Sequence, residues 1–271
     1  VFIKPSIIKS RLRVFLSLVL FTLAKIIPFY SKEYKGKTRV ILFHHIDTQR
    51  QFEKIVKKLS EKYNLIGFDD YLAGKKNPSK LNLILAFDDG YLSWKTNAYP
   101  VLKKYCVRPL FFLNSDFVDL GIEDAHRYCE NVIHTWAEPS LTWKDVQELF
   151  SYGAEIGGHC ELHLDLSAIS TGATAHSAIE NDKVRIEKNL NHDIRSFAYP
   201  FGRYTPESVA SVSKIGYQYG FTCEAGYLED AVDPLRLPRT NIGMRPPIAI
   251  CAAAEGWLEV ITDIFAYIKK R

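Results

Sequence analysis

The chain has 271 residues, of which 47% are hydrophobic and 13% aromatic, enough for a well-buried core and at odds with intrinsic disorder. Its 35 basic and 31 acidic residues are spread along the sequence and leave a formal net charge of +4, which gives no electrostatic case for nucleic-acid binding. Five cysteines at wide spacings, with no CxxC pair, argue against a disulfide framework or a zinc ribbon and are read as small core residues. At the start, Lys4, Lys9, Arg11 and Arg13 precede the apolar run Val14–Ala24, and Lys25 interrupts before Ile26-Ile27-Pro28-Phe29-Tyr30. The run is short for a membrane span, which needs about 20 apolar residues. Residues 1–30 are therefore expected to associate with a membrane as an anchor or an interfacial helix. A cleaved signal peptide ending near Thr22-Leu23-Ala24, or a buried helix, are the other readings.

Beyond residue 30, short apolar runs alternate with segments of helical period. Val40–Phe43, Leu83–Phe87, Leu110–Leu113, Ser196–Tyr199 and Tyr219–Thr222 read as strands, several of them apolar throughout, as buried parallel strands are. Phe52, Ile55, Val56 and Leu59 share a helical face, and Trp143, Val146, Leu149 and Phe150 make a similar one. Thr205-Pro206-Glu207 offers a cap, a proline at the first helical position and an acid in the first turn, with Gly216 placed to end that helix. Trp257, Val260, Ile261, Ile264, Phe265 and Ile268 form the stripe of a last helix, closed by Lys269, Lys270 and Arg271. This alternation over residues 31–271 predicts one α/β domain, barrel-like or doubly wound, with reactive residues at the C-terminal ends of its strands.

Three strand ends fit that rule. Leu83–Phe87 runs into Asp88-Asp89-Gly90, two adjacent carboxylates expected to be lifted by a turn. Glu155–Gly157, a short strand-like run, leads to His159 and His163, whose i, i+4 spacing is expected to set both on one side of a helical turn, able to share a metal ion. Phe197-Ala198-Tyr199-Pro200-Phe201-Gly202 closes a third strand with a Pro–Gly turn. One acid and two histidines supply the three protein ligands of an open catalytic metal site, and a second acid remains as a base. His126, His134, His176 and His192 lie outside any ligand spacing and are assigned no role. Trp136, Trp143 and Tyr204 are aromatic faces of the kind on which sugar rings stack.

The order Phe-Asp-Asp-Gly, His-x-x-x-His, Phe-Ala-Tyr-Pro-Phe-Gly, together with Tyr99-Pro100-Val101-Leu102 and Gly153-Ala154-Glu155-Ile156-Gly157, resembles the NodB-type polysaccharide deacetylases, carbohydrate esterase family four, over about residues 38–245. The resemblance implies a distorted (β/α)7 barrel that removes N-acetyl groups from the N-acetylhexosamine units of a glycan. It implies Asp88 as catalytic base, Asp89, His159 and His163 as ligands of one divalent metal, and the Phe201 N–H as an oxyanion donor. Zinc suits such a ligand set, and cobalt, nickel or iron are compatible with it. Two departures stand out. Where many relatives carry an Arg in the third motif this chain has Ala198, and the stretch Leu237-Pro238-Arg239 resembles a later segment of a subgroup, which makes Arg239 the cation for the base. No His follows His192, so the catalytic acid expected near the C-terminus is missing. Val40-Ile41-Leu42-Phe43-His44-His45-Ile46 instead resembles the N-terminal element of biofilm poly-N-acetylglucosamine deacetylases, which makes His44 the acid and His45 the second choice. The partner is an N-acetylated glycan, and the N-terminal segment places the protein at a membrane or in the cell envelope. A lipid-linked or membrane-bound amino sugar or peptidoglycan is the alternative substrate, and a silent carbohydrate-binding relative the alternative class.

Overall fold

The apolar runs pair side by side, and every strand pairing is parallel. The structure, a computed structural model, describes residues 16, 19, 22, 34–168, 172–231, 233–257, 259 and 260. Apart from three residues, the 1–30 segment read as membrane-associating lies outside the described residues, as do residues 261–271 of the expected last helix. Among the described residues, no helix is long and apolar enough to cross a membrane.

Eight strands are described: β1 (Thr38–Phe43), β2 (Asn64–Leu65), β3 (Asn82–Asp89), β4 (Leu110–Leu113), β5 (Glu155–Gly158), β6 (Ser196–Ala198), β7 (Tyr219–Phe221) and β8 (Thr240–Asn241). Their order is β7-β6-β5-β4-β3-β1-β8, with β2 beside β3. Side chains alternate between two buried layers, which is why the runs are apolar throughout rather than every second residue. Val40 and Leu42 of β1 join Ile84 and Ala86 of β3, Phe112 of β4 and Phe221 of β7 in one cluster inside the curled sheet. Ile41, Phe43, Leu83, Leu85 and Phe87 face the other way, onto the helices.

The helix layer contains α1 (Gln49–Lys62), α2 (Phe68–Leu72), α3 (Tyr99–Lys104), α4 (Ile122–Tyr128), α5 (Trp143–Ser151), α6 (Gly172–Leu190), α7 (Pro206–Lys214) and α8 (Pro247–Ala254). The three whose periods are legible are capped as their sequences dictate. Thr48 accepts from Gln51 N, Thr142 and Asp145 cap each other, and Thr205 accepts from Ser208 N before Pro206. Helix α7 stops at Lys214, two residues before Gly216, whose φ of 94° suits the glycine. Helix α8 escaped the sequence reading because Ala249–Ala254 are all buried, leaving no polar face to set a period.

The sheet closes through one segment. Gly220 N donates to Pro234 O, Leu237 N to Gly220 O and Thr222 N to Leu237 O, so residues 234–237 extend the β7 edge. Three residues later the same chain becomes β8 and pairs Thr240 with Ile41 of β1. Residues 234–241 therefore join the two edges into a distorted (β/α)7 barrel, the fold expected from the motif resemblance.

Candidate active site

Both acids reach one site because the strand ends irregularly. Asp88 continues the inward set Ile84, Ala86. The next residue of a regular strand would face the helices. Asp89 instead has a φ of 93°, a region that L residues rarely adopt, and both carboxylates lie within 4 Å of His159 Nε2, at 3.8 Å and 3.6 Å. The acids are thus the last two residues of β3 rather than part of a turn, and the turning begins at Gly90, with a φ of 111°.

The histidine pair is also brought together differently from the spacing argument. Residues 159–163 form a loop beyond β5, not a helical turn: Cys160 (φ 68°) and His163 (φ 47°) both take left-handed backbone. The two imidazole rings meet edge to face, 5.0 Å between centroids. The glycines ahead of them are needed for close approach. A Cβ at Gly157 would overlap the Ser196 carbonyl and the Phe112 ring, and one at Gly158 the Tyr217 hydroxyl and the Asp182 carboxylate.

One ligand atom each from Asp89, His159 and His163 falls within a 4.8 Å cluster, and all three residues are buried. His159 Nδ1 lies 2.8 Å from the Ala198 carbonyl, which can only accept, so Nδ1 carries the proton and the Nε2 lone pair faces the cluster. Burial, chiefly, lowers the His159 pKa to about 4 and keeps the ring neutral, as a ligand must be. Burial opposes the charge of Asp89, but His163, His44 and His159 outweigh it and hold the carboxyl below the usual range. His163 Nε2 is 3.3 Å from Asp89 Oδ1, yet neither oxygen of Asp89 makes a well-aligned hydrogen bond. Buried carboxylate oxygens left in that condition, facing two imidazoles, fit a divalent cation.

Asp88 belongs to a separate pair. Arg239 NH1 and NH2 donate to its two oxygens at 2.6 Å and 2.9 Å, and Arg239 Nε donates to Thr222 O at 2.9 Å. Burial works against the guanidinium charge, but Asp88 more than offsets it, and the Arg239 pKa is raised. Ala198, where many relatives have Arg, faces the interior cluster, and its carbonyl serves His159. Phe201 sits in a tight turn, Pro200–Gly202, with left-handed backbone (φ 58°) and its ring 4.6 Å from that of His163.

Asp88, Asp89, His159, His163 and Phe201 line one cleft of about 750 Å³. His44 and His45 line it too. Trp94 Nε1 donates to the His44 carbonyl, while the His45 ring lies between Glu138 Oε1, 3.2 Å away, and Asp47 Oδ1, 3.6 Å away. Of the three aromatic faces singled out from the sequence, Trp136 lines the cleft and is 80% exposed. Trp143 packs against the core, and the Tyr204 hydroxyl is bound to Glu224. Sequence reasoning missed His134, which lines the cleft, as well as Glu138 and the buried Asp182. No ligand spacing marks any of them, and only the fold brings them in.

The sequence profile of the polysaccharide deacetylase family matches residues 75–220, just over half of the chain. The chain is 27% identical over 205 residues to YxkH of Bacillus subtilis (strain 168), covering 72% of this chain and 67% of that protein. It is 27% identical over 171 residues to the poly-beta-1,6-N-acetyl-D-glucosamine N-deacetylase of Staphylococcus epidermidis, covering 59% of this chain and 54% of that one. The chain thus spans about half to two thirds of the length of these relatives. Among solved structures, the fold superposes on Streptococcus pyogenes deacetylase PplD in complex with acetate (TM-score 0.66, 22% identity, 80% of this chain, 98% of that). It superposes equally on IcaB from Ammonifex degensii (TM-score 0.68, 21% identity, 82% and 98%).

Proposed function

This chain belongs to the polysaccharide deacetylase family, and from that premise we propose that it hydrolyses the N-acetyl groups of N-acetylhexosamine units in a glycan, with Asp89, His159 and His163 holding a divalent metal, best zinc. The observation that carries this reading is the separation of two carboxylates at one strand end: Asp89 in the histidine cluster, Asp88 clamped by Arg239. Such a metal ion supplies Lewis acidity toward the amide carbonyl and acidity to a water molecule. Asp88, oriented by the bidentate guanidinium, takes the proton of the attacking water. The Phe201 N–H, presented by the turn at Pro200–Gly202, donates to the developing oxyanion. His44, in the cleft, delivers a proton to the amide nitrogen as the C–N bond breaks, and acetate and a free amine leave.

The relative named for poly-beta-1,6-N-acetyl-D-glucosamine makes that polymer the first substrate to test. Acetate release by the zinc- or cobalt-loaded chain from β-1,6-linked and β-1,4-linked N-acetylglucosamine oligomers tests the reading. Metal binding without release from either moves the substrate to lipid-linked or membrane-bound amides, and no metal binding refutes the site. The basic flank and apolar run within residues 1–30 support a place at a membrane or in the cell envelope, to be checked by fractionation of cells producing the chain.

His44→Ala is expected to lower kcat by roughly 10²–10⁴-fold with metal content unchanged. A normal rate in His44→Ala and a low one in His45→Ala would transfer the acid role to His45. Among the described Phe, Tyr and Trp residues, only Trp136 and Phe201 are exposed, and both line the cleft. Trp136 is the stacking face for a flanking sugar. Its loop is pinned by Leu92 N to Pro139 O and Leu141 N to Gly90 O, directly after the two acids. Trp136→Ala should therefore raise KM for long oligomers roughly tenfold, about 1.4 kcal/mol, while leaving kcat near the wild-type value. An equal KM in a titration of oligomer length would remove that role.

A further inference from the structure

The two histidines of the cluster hang on a loop closed internally by one turn bond, His163 N to the Cys160 carbonyl at 3.0 Å, and both of those residues hold left-handed backbone, so groups outside the loop are needed to fix its shape. The outside groups are few. Asp182, in the middle of α6 and fully buried, accepts at one oxygen from His159 N (2.8 Å) and Cys160 N (3.0 Å), and at the other from Ser115 N (2.9 Å). Ser115 follows β4 and His159 follows β5, so one carboxylate ties the ends of two neighbouring strands. One turn earlier on α6, the Ala178 carbonyl accepts from Glu161 N. From the other side Asn114 Nδ2 donates to the Cys160 carbonyl at 2.9 Å. Gly158 leaves the space that Asp182 needs to reach the loop, since a Cβ there would overlap its carboxylate.

We propose that Asp182, assisted by Asn114, is the positioning residue of the metal centre, fixing the backbone of residues 159–163 so that the two imidazoles converge on Asp89. The inference rests on the metal reading above. Neither residue reaches the cluster. They act through the main chain, as groups outside a metal's own ligands commonly do. Both oxygens of Asp182 are acceptors, so an amide cannot replace it. Asn at this position would set an NH2 against at least one of the three N–H donors.

The test is made on the full chain with Asp182→Asn, using zinc affinity by chelator competition and the visible spectrum of the cobalt-loaded protein, alongside far-UV circular dichroism of the metal-free form. The expected result is unchanged dichroism, zinc binding weakened 10–100-fold, and displaced cobalt bands. A folded Asp182→Asn protein with zinc affinity within twofold of wild type and an identical cobalt spectrum overturns the proposal. Should Asp182→Asn fail to fold, Asn114→Ala, which removes the donor to the Cys160 carbonyl together with the acceptor of Phe117 N and the Tyr128 hydroxyl, is expected to weaken zinc severalfold and shift the same bands, and unchanged values there overturn it equally. A wild-type protein that binds no zinc or cobalt refutes the metal reading instead.

Discussion

Asp88→Asn is expected to lower kcat by about 10³-fold while the protein still binds one equivalent of metal. The expectation follows from the division of labour at the end of β3. Asp89 meets both histidines, whereas Asp88 meets Arg239 with both oxygens and approaches only His159 Nε2, at 3.8 Å. Asn keeps the shape and one acceptor oxygen but cannot take up a proton at neutral pH. It also leaves a buried guanidinium short of its counter-charge. Breaking such a pair outright costs about 3–5 kcal/mol, and Asn, which retains one hydrogen bond, should cost less and register as a lower Tm. Kinetics, metal content and Tm measured on one preparation separate the effects. Lost metal would place Asp88 among the ligands, and full activity would remove it as the base.

His159→Ala should release the metal and with it all measurable activity. The affinity loss should exceed the 10–100-fold typical of removing a group that merely supports a ligand. His159 is the best prepared of the three proposed ligands: the Ala198 carbonyl fixes its tautomer, and its backbone N–H is held by both the Leu113 carbonyl and Asp182. Metal analysis after dialysis against a weak chelator checks it, with Asp88→Asn as the metal-retaining control. Wild-type metal content in His159→Ala would refute the cluster as the binding site.

Much of this site could be read in the sequence because the reactive residues end strands whose apolar runs are unmistakable. Asp88 and Asp89 follow Leu83–Phe87, and Phe201 follows the strand beginning at Ser196. The histidines were legible as a pair but not as geometry. An i, i+4 spacing suggests a helix, yet the tight packing at Gly157 and Gly158 ends a strand there, and the left-handed residues at 160 and 163 fold the loop back. Arg239 was reached only through resemblance, 151 residues away from Asp88. Asp182 was invisible. An acid within a 19-residue helix reads as solvated surface unless the fold shows which side of that helix is covered. His134 and Glu138 lie on a loop with no periodic pattern, so nothing local distinguishes them from other surface polar residues.

The segment that closes the barrel has a consequence for how the protein becomes competent. Residues 234–237 bind one edge of the sheet, Thr240 and Asn241 the other, and Arg239 lies between them. Asp88 therefore has its counter-charge only where the last gap in the wall is filled. Closing the wall and pairing Asp88 with Arg239 are thus one structural requirement.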